Sequence, residues 1–217
     1  MFVGHYSVSF AAKRLAPTLP LWVLFLAVQF LDVGWSFLVL LGIEKVRIVP
    51  GITATNPLDL YYMPYTHGLP SALLWAAGGA LLYRLASPRA SRRVLLILGL
   101  AVFSHWILDF VVHRPDLPLY DNTAKVGLGL WNRPVIAFAL EALLLFGGMA
   151  LYLHAGAPRR VPAIVFGLVM LAVQAYIFFG PPPASGPSVA VTALGSYALF
   201  AAVMGYLERP STAPTAT

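Results

Sequence analysis

Apolar and polar positions along the chain alternate on a scale of about twenty residues, not two or four. Long apolar runs cover residues 18–41, 67–85, 94–113, 134–154, 161–179 and 189–207, separated by shorter polar or Pro/Gly-rich segments. About 20 apolar residues is the length that carries a helix across bilayer hydrocarbon, and 18–41 would reach about 36 Å as a helix. The pattern predicts six spanning helices. Ahead of them the mixed segment GHYSVSFAAKRL, closed by Pro17 and Pro20, predicts a short N-terminal helix. The expected fold class is all-α, a polytopic membrane helix bundle. Residues 1–210 form one transmembrane domain in this reading, and 211–217 a disordered tail.

The connecting segments refine this picture. Residues 42–66 read as a polar loop whose Tyr61, Tyr62 and Tyr65 suit an interfacial belt. In the second run Ala76-Ala77-Gly78-Gly79-Ala80 allows a neighbouring helix to approach closely, and Gly147-Gly148 recurs in the fourth. Residues 114–132 read as a second long loop, and 181–187 as a Pro-rich turn.

Composition agrees with the pattern. Of 217 residues 59% are hydrophobic and 10% charged, with a mean hydropathy of +0.80; a soluble domain carries about 25% charged residues. The absence of cysteine excludes disulfides, thiolate metal sites and cysteine nucleophiles. The net charge of +6 resides at the ends of apolar runs, which fits membrane topology and gives no reason to expect a nucleic-acid partner. With six spans, Lys13, Arg14, Arg84, Arg89, Arg92, Arg93, Arg159, Arg160 and Arg209 collect on the side of both termini. The opposite side holds Lys45, Arg47, Arg114, Lys125 and Arg133, offset by Glu44, Asp59, Asp116 and Asp121. The expectation is that both termini are cytoplasmic. The oligomeric state is left open.

The candidate chemistry centres on Ser104-His105-Trp106-Ile107-Leu108-Asp109-Phe110-Val111-Val112-His113. His105, Asp109 and His113 are spaced i, i+4, i+8 and fall within an arc of roughly 80° on one helix face. Ionisable groups at membrane depth are costly and mark functional sites by default. Counting rise from the cytoplasmic turns puts Asp32 and His105 each about 22 Å up, with His5 near the same level if the N-terminal segment is helical. His67 opens the second span at a similar height. Glu141 lies about eight residues into the fourth span, in the same layer. His5, Asp32, His67, His105 and Asp109 are therefore candidate metal ligands, with Zn²⁺ favoured and Mn²⁺ or Fe²⁺ also compatible. A carboxylate left over, Asp109 or Glu141, is the candidate proton acceptor or histidine orienter. His113, Lys125 and Arg133 are candidate substrate contacts, with 114–131 as a lid in which Gly127 and Gly129 permit close backbone approach. Each of these groups has a plainer reading. A lone membrane histidine is commonly interhelical glue, Glu141 suits an ion pair with Lys125 or Arg133, and Trp131 suits an interface anchor.

The motifs Gly4-His5, Leu31-Asp32, Thr66-His67, Ser104-His105 with Asp109, and Leu117-Pro118-Leu119 occur in that order. In this the first 120 or so residues resemble the YdjM-like family of inner-membrane metal-dependent hydrolases. The resemblance implies a helical inner-membrane protein, of the bacterial type, with metal-ligating His and Asp. The chain departs from the family pattern at Gly34 and Trp35, where an acid and a His are common, and at Met63-Pro64-Tyr65, where Arg-Gly often precedes Thr-His. Those departures argue against a two-metal site. The expected activity is hydrolysis of a lipid or lipid-linked ester or phosphoester at the outer leaflet. The alternatives are a non-catalytic scaffold or binding protein, and an ion- or proton-coupled transporter using the same cluster. No internal repeat supports the last of these.

Overall fold

Apolar runs bounded by Pro, Ser and Gly become helices in the computed structural model, which describes residues 1–209; the expected tail at 211–217 lies outside them. A 3-10 turn (Val3–His5) leads into α1 (Tyr6–Leu15), followed by α2 (Leu21–Val28) and α3 (Phe30–Leu40). Then come β1 (Lys45–Ile48), β2 (Leu58–Tyr62), α4 (Leu69–Ala86), α5 (Arg92–Val112), β3 (Leu117–Tyr120) and β4 (Thr123–Val126). A second 3-10 turn (Leu130–Asn132) precedes α6 (Pro134–His154), α7 (Arg160–Phe179) and α8 (Gly186–Leu207).

Helices α4 to α8 have 18 to 22 residues and are apolar enough to cross a membrane. At 1.5 Å per residue they reach roughly 27–33 Å. Their outward leucines and valines, among them Leu74, Leu96, Leu143, Val161 and Leu199, are exposed. So much outward apolar surface suits hydrocarbon, not water. The chain is an all-α bundle of an integral membrane protein. Pro70, Pro134 and Pro187 sit at helix starts, where a missing N–H costs nothing, and Ser185 with Ser188 forms a capping box on α8.

The expected span at 18–41 is broken, not straight, and the bent pair together is long and apolar enough to make a sixth span. It is two helices bent by 55° at Gln29. The break withdraws backbone groups from the helical ladder, and polar side chains take them up: the His105 imidazole bonds the Val28 carbonyl at 2.7 Å. The Gln29 amide meanwhile donates to the Phe2 carbonyl. The expected loops 42–66 and 114–132 are also more ordered than read, since each contains an antiparallel hairpin, β1–β2 and β3–β4.

α1 is too short to span. It is packed inside the bundle against α6, α2 and α5, with Tyr6 and Phe10 fully buried. A Cβ on Gly148 would come within 2.4 Å of the Ser7 carbonyl, so the α1–α6 approach requires glycine there. Gly79, from the small-residue run, similarly faces Val102 across the α4–α5 contact, while Gly78 faces open space. At the end of the bundle where α8 finishes, Glu208 accepts from the Leu21 amide and pairs with Lys13, tying α1, α2 and α8 together. Met1 does not share that end. It is buried beside Asp109 in the last turn of α5.

Candidate metal centre

Four elements deliver the cluster. The 3-10 turn carries His5, the first turn of α3 carries Asp32, the segment before α4 carries His67, and α5 carries His105 and Asp109. His113 follows as the capping residue after α5, with extended backbone. All four histidines are buried, as is Asp109, while Asp32 is half-buried. Asp109 is the hub. Its Oδ1 lies 3.1 Å from His5 Nε2, and its Oδ2 lies 3.1, 3.5 and 3.7 Å from the Nε2 atoms of His105, His113 and His67. Asp32 Oδ1 lies 3.3 Å from His67 Nε2 and 3.4 Å from His105 Nε2. The Met1 amine donates to Asp109 Oδ1 at 2.6 Å, and the Tyr197 hydroxyl to Asp32 Oδ2 at 2.7 Å.

The outer nitrogens set the chemistry of the inner ones. His105 Nδ1 can only donate to the Val28 carbonyl, which leaves a lone pair on Nε2. His67 Nδ1 lies 2.8 Å from Thr66 Oγ1, whose hydroxyl donates to Glu44 Oε2 at 2.7 Å; Nδ1 is then the donor and Nε2 again keeps its lone pair. His113 Nδ1 meets Asp116 Oδ1 at 2.8 Å, with the same consequence. An imidazole whose outer N–H is given to a carbonyl or carboxylate is the usual form of a metal-binding histidine. His5 is the exception: among the described residues its Nδ1 has no hydrogen-bond partner, and its ring stacks on His105 at 3.9 Å.

Two overlapping groups of atoms have metal-ligating spacing, His5–His105–Asp109 and Asp32–His67–His105, with all ligand atoms in each within 4.8 Å. Both use His105. Since that imidazole has only Nε2 free, it serves one cation at a time, and the donor set fits a single ion. Nitrogen and oxygen donors without sulfur suit Zn²⁺, Mn²⁺ or Fe²⁺. His105 Nε2, buried and without a hydrogen-bond partner of suitable geometry among the described residues, is the atom such an ion would satisfy.

Supporting groups hold this arrangement from outside. Trp106, next to His105, donates to the His67 carbonyl at 2.8 Å. Asp116 lies 3.2 Å from Arg114 Nε, Arg114 pairs with Asp59 on β2, and Asp59 accepts from Arg47 on β1 at 2.6 Å. The hairpin is thereby connected to His113. Glu44 accepts from both Tyr65 and Thr66 amides as well as the Thr66 hydroxyl. Burial pushes its carboxyl above the ordinary value, while those donors and His67 pull the other way.

His5, Asp32, His67, His105 and Asp109 are thus brought together, and His113 joins them as a cluster member. Glu141 is buried nearby but its oxygens are taken: Oε2 accepts from the Phe2 and Gly4 amides and Oε1 from Gln174. It anchors the turn that carries His5 and pairs with neither Lys125 nor Arg133. Lys125, on β4, donates to the Tyr61 carbonyl, and Arg133 is exposed ahead of α6. Neither reaches the cluster. Trp131 is buried over the His113 ring at 4.2 Å. A Cβ on Gly127 would meet the Arg114 and His113 carbonyls, so the chain's own approach to the end of α5 requires glycine there, whereas Gly129 has no such close neighbour among the described residues.

A cavity of about 550 Å³ opens above the cluster. Asp32, His67, Asp109 and His113 lie at its polar end, and Trp35, Leu60, Met63, Phe178 and Val189 are among its apolar walls. Gln174 and Tyr197, which touch Glu141 and Asp32, were not singled out from sequence. Gln174 had a signal, being polar within the apolar run 161–179. Comparisons with family models, with curated proteins and with solved structures return no match.

Proposed function

We propose that the chain is a membrane-embedded, metal-dependent hydrolase acting on a lipid or lipid-linked ester or phosphoester at the outer leaflet of an inner membrane. The observation that carries this reading is the set of imidazoles whose outer N–H groups are given away and whose Nε2 atoms meet two carboxylates at the polar end of a largely apolar cavity. The order of the Gly-His, Asp, Thr-His and Ser-His-x-x-x-Asp motifs supports it from the sequence side.

His67, His105, Asp32 and Asp109, with His5 beside them, would hold the ion. A bound Zn²⁺, Mn²⁺ or Fe²⁺ supplies an acidified water and polarises the oxygen of the bond to be cleaved. His113 lines the cavity but belongs to neither tight donor group, so its Nε2 is the base that takes a proton, with Asp116 fixing its tautomer. Glu141, with its oxygens occupied, is relieved of that role. Tyr197 orients Asp32, and Trp131 shields His113 from water.

Elemental analysis of the detergent-purified protein tests this. Stoichiometric divalent metal is expected, lost in His105→Ala while the chain remains folded. Unchanged metal content in that variant would refute the assignment. The bend at Gln29 gives the transport reading one observation of its own, because broken helices frame ion sites in transporters. The freed Val28 carbonyl is, however, committed to His105. Ion flux in liposomes without substrate turnover would favour transport.

A further inference from the structure

We infer that the cavity takes an uncharged, single-chain carboxylic ester, received sideways from the bilayer between α7 and α8, and not a phosphoester; this rests on the hydrolase reading above. The first ground is charge. Among the described residues no Lys or Arg lines the cavity, whereas Asp32, Asp109 and Glu141 do. Of the cationic side chains near the lining in sequence, Arg47 and Arg114 are committed to Asp59 and Lys125 to a carbonyl, and Arg133 is exposed and outside the lining. A single divalent ion is already balanced by the Asp32 and Asp109 carboxylates. A phosphate group, normally gripped by Arg or Lys forks, would find among the described residues only the Met1 ammonium, which is already paired with Asp109.

The second ground is the shape of the wall. α7 packs on α6, and α8 on α2 and α3, so these two consecutive helices scarcely touch each other. One direct contact, Phe166 of α7 on Phe200 of α8 at 5.3 Å, closes the gap lower down, with Phe2 beside Tyr197 and Phe200. Above it the gap is the cavity, lined by Ile177 and Phe178 on one side and by Val189 and Ala193 on the other. Both helices are long and apolar enough to face lipid, so an acyl chain moves from bilayer to cavity without meeting water. The polar groups on the α8 wall are hydroxyls, Ser188, Thr192 and Ser196, spaced i, i+4, i+8 on one face. The Ser188 and Thr192 hydroxyls donate to the Ser185 and Ser188 carbonyls, so toward a neutral polyol head such as glycerol they accept its hydroxyl protons. A volume of this size lies in the range of small-molecule sites and suits one chain rather than two.

The reaction balances with water as co-reactant. The water oxygen bonds to the acyl carbon, and the acyl carbon–alkoxy oxygen bond breaks. The proton taken by His113 passes to the leaving oxygen, giving a carboxylic acid and an alcohol.

The test uses the full chain with its metal in phosphatidylcholine nanodiscs. The probes are 1-O-dodecylglycerol, an ether that cannot be hydrolysed, and dodecyl phosphate, with turnover of monododecanoylglycerol followed separately. The ether is expected to bind at least about tenfold tighter than the phosphate. Thr192→Trp, which fills the cleft from an exposed position, should weaken ether binding by about tenfold or more with metal content unchanged; Ile177→Trp repeats the test from the α7 side. Equal or tighter binding of dodecyl phosphate, or ether binding indifferent to both tryptophans, overturns the inference. Ether bound as expected without turnover of the ester leaves the occupant assigned and overturns the hydrolase reading instead.

Discussion

Asp32, His67, His105, Asp109 and His113 all come from the first 113 residues, whereas α6, α7 and α8 contribute no imidazole to the cluster and only an acid whose oxygens are already bonded. The late helices bring different things: Glu141 and Gln174 to seat the His5 turn, Tyr197 to hold Asp32, and the walls of the cavity. The earlier part of the chain therefore makes the chemistry and the later part makes the enclosure. Chemistry needs particular residue types at particular spacings, and an enclosure needs only shape and apolarity. That difference explains why one half displays motifs and the other does not.

Substitutions can break this division. The largest effect is expected for Asp109→Asn, which removes the carboxylate nearest to four imidazoles and the Met1 amine. Bound metal should disappear, and breaking so buried a set of charge pairs should cost about 3–5 kcal/mol in the absence of metal. Metal content equal to the parent's would count against Asp109 as hub. Glu44→Gln acts one residue further out, through Thr66 on His67. Metal affinity measured by competition with a chelator should fall roughly 10–100-fold with the fold intact. Glu141→Gln probes the other side of the comparison. It weakens the hydrogen bonds from Phe2 and Gly4, so a loss of about 1.5–3 kcal/mol in denaturant stability is expected with metal affinity retained. A fall in affinity as large as that of Glu44→Gln would show that the enclosure is also part of the ligand set. The smallest effect belongs to Lys125→Ala, which should leave metal content unchanged and stability within about 0.5 kcal/mol.

The same contrast governs what could be read before the structure. The stripe of His105, Asp109 and His113 follows from helical periodicity, and the common depth of His5, Asp32 and His105 from counting rise along apolar runs. Both are local properties of a regular element. The bend at Gln29 is not: no Pro or Gly marks it, and its freed carbonyl is satisfied by a histidine 77 residues away. The two hairpins escaped notice because short strands between long helices give little periodic signal. Nearness in sequence to the loop does not reveal where Lys125 and Arg133 lie: β4 directs Lys125 to the Tyr61 carbonyl, and Arg133 is exposed ahead of α6. Glu44 and Asp116 appeared only as loop charges offsetting basic residues. Their orienting roles depend on Thr66 and His113 being folded against them.

X-ray absorption at the metal edge of the purified, full-length protein tests the central claim most directly. The account predicts one tightly held ion with a nitrogen and oxygen shell, no sulfur, and outer-shell scattering from at least two imidazoles, all of it lost in His105→Ala. An ion without imidazole scattering, or a folded protein that holds no divalent metal when supplied with it, would contradict the account.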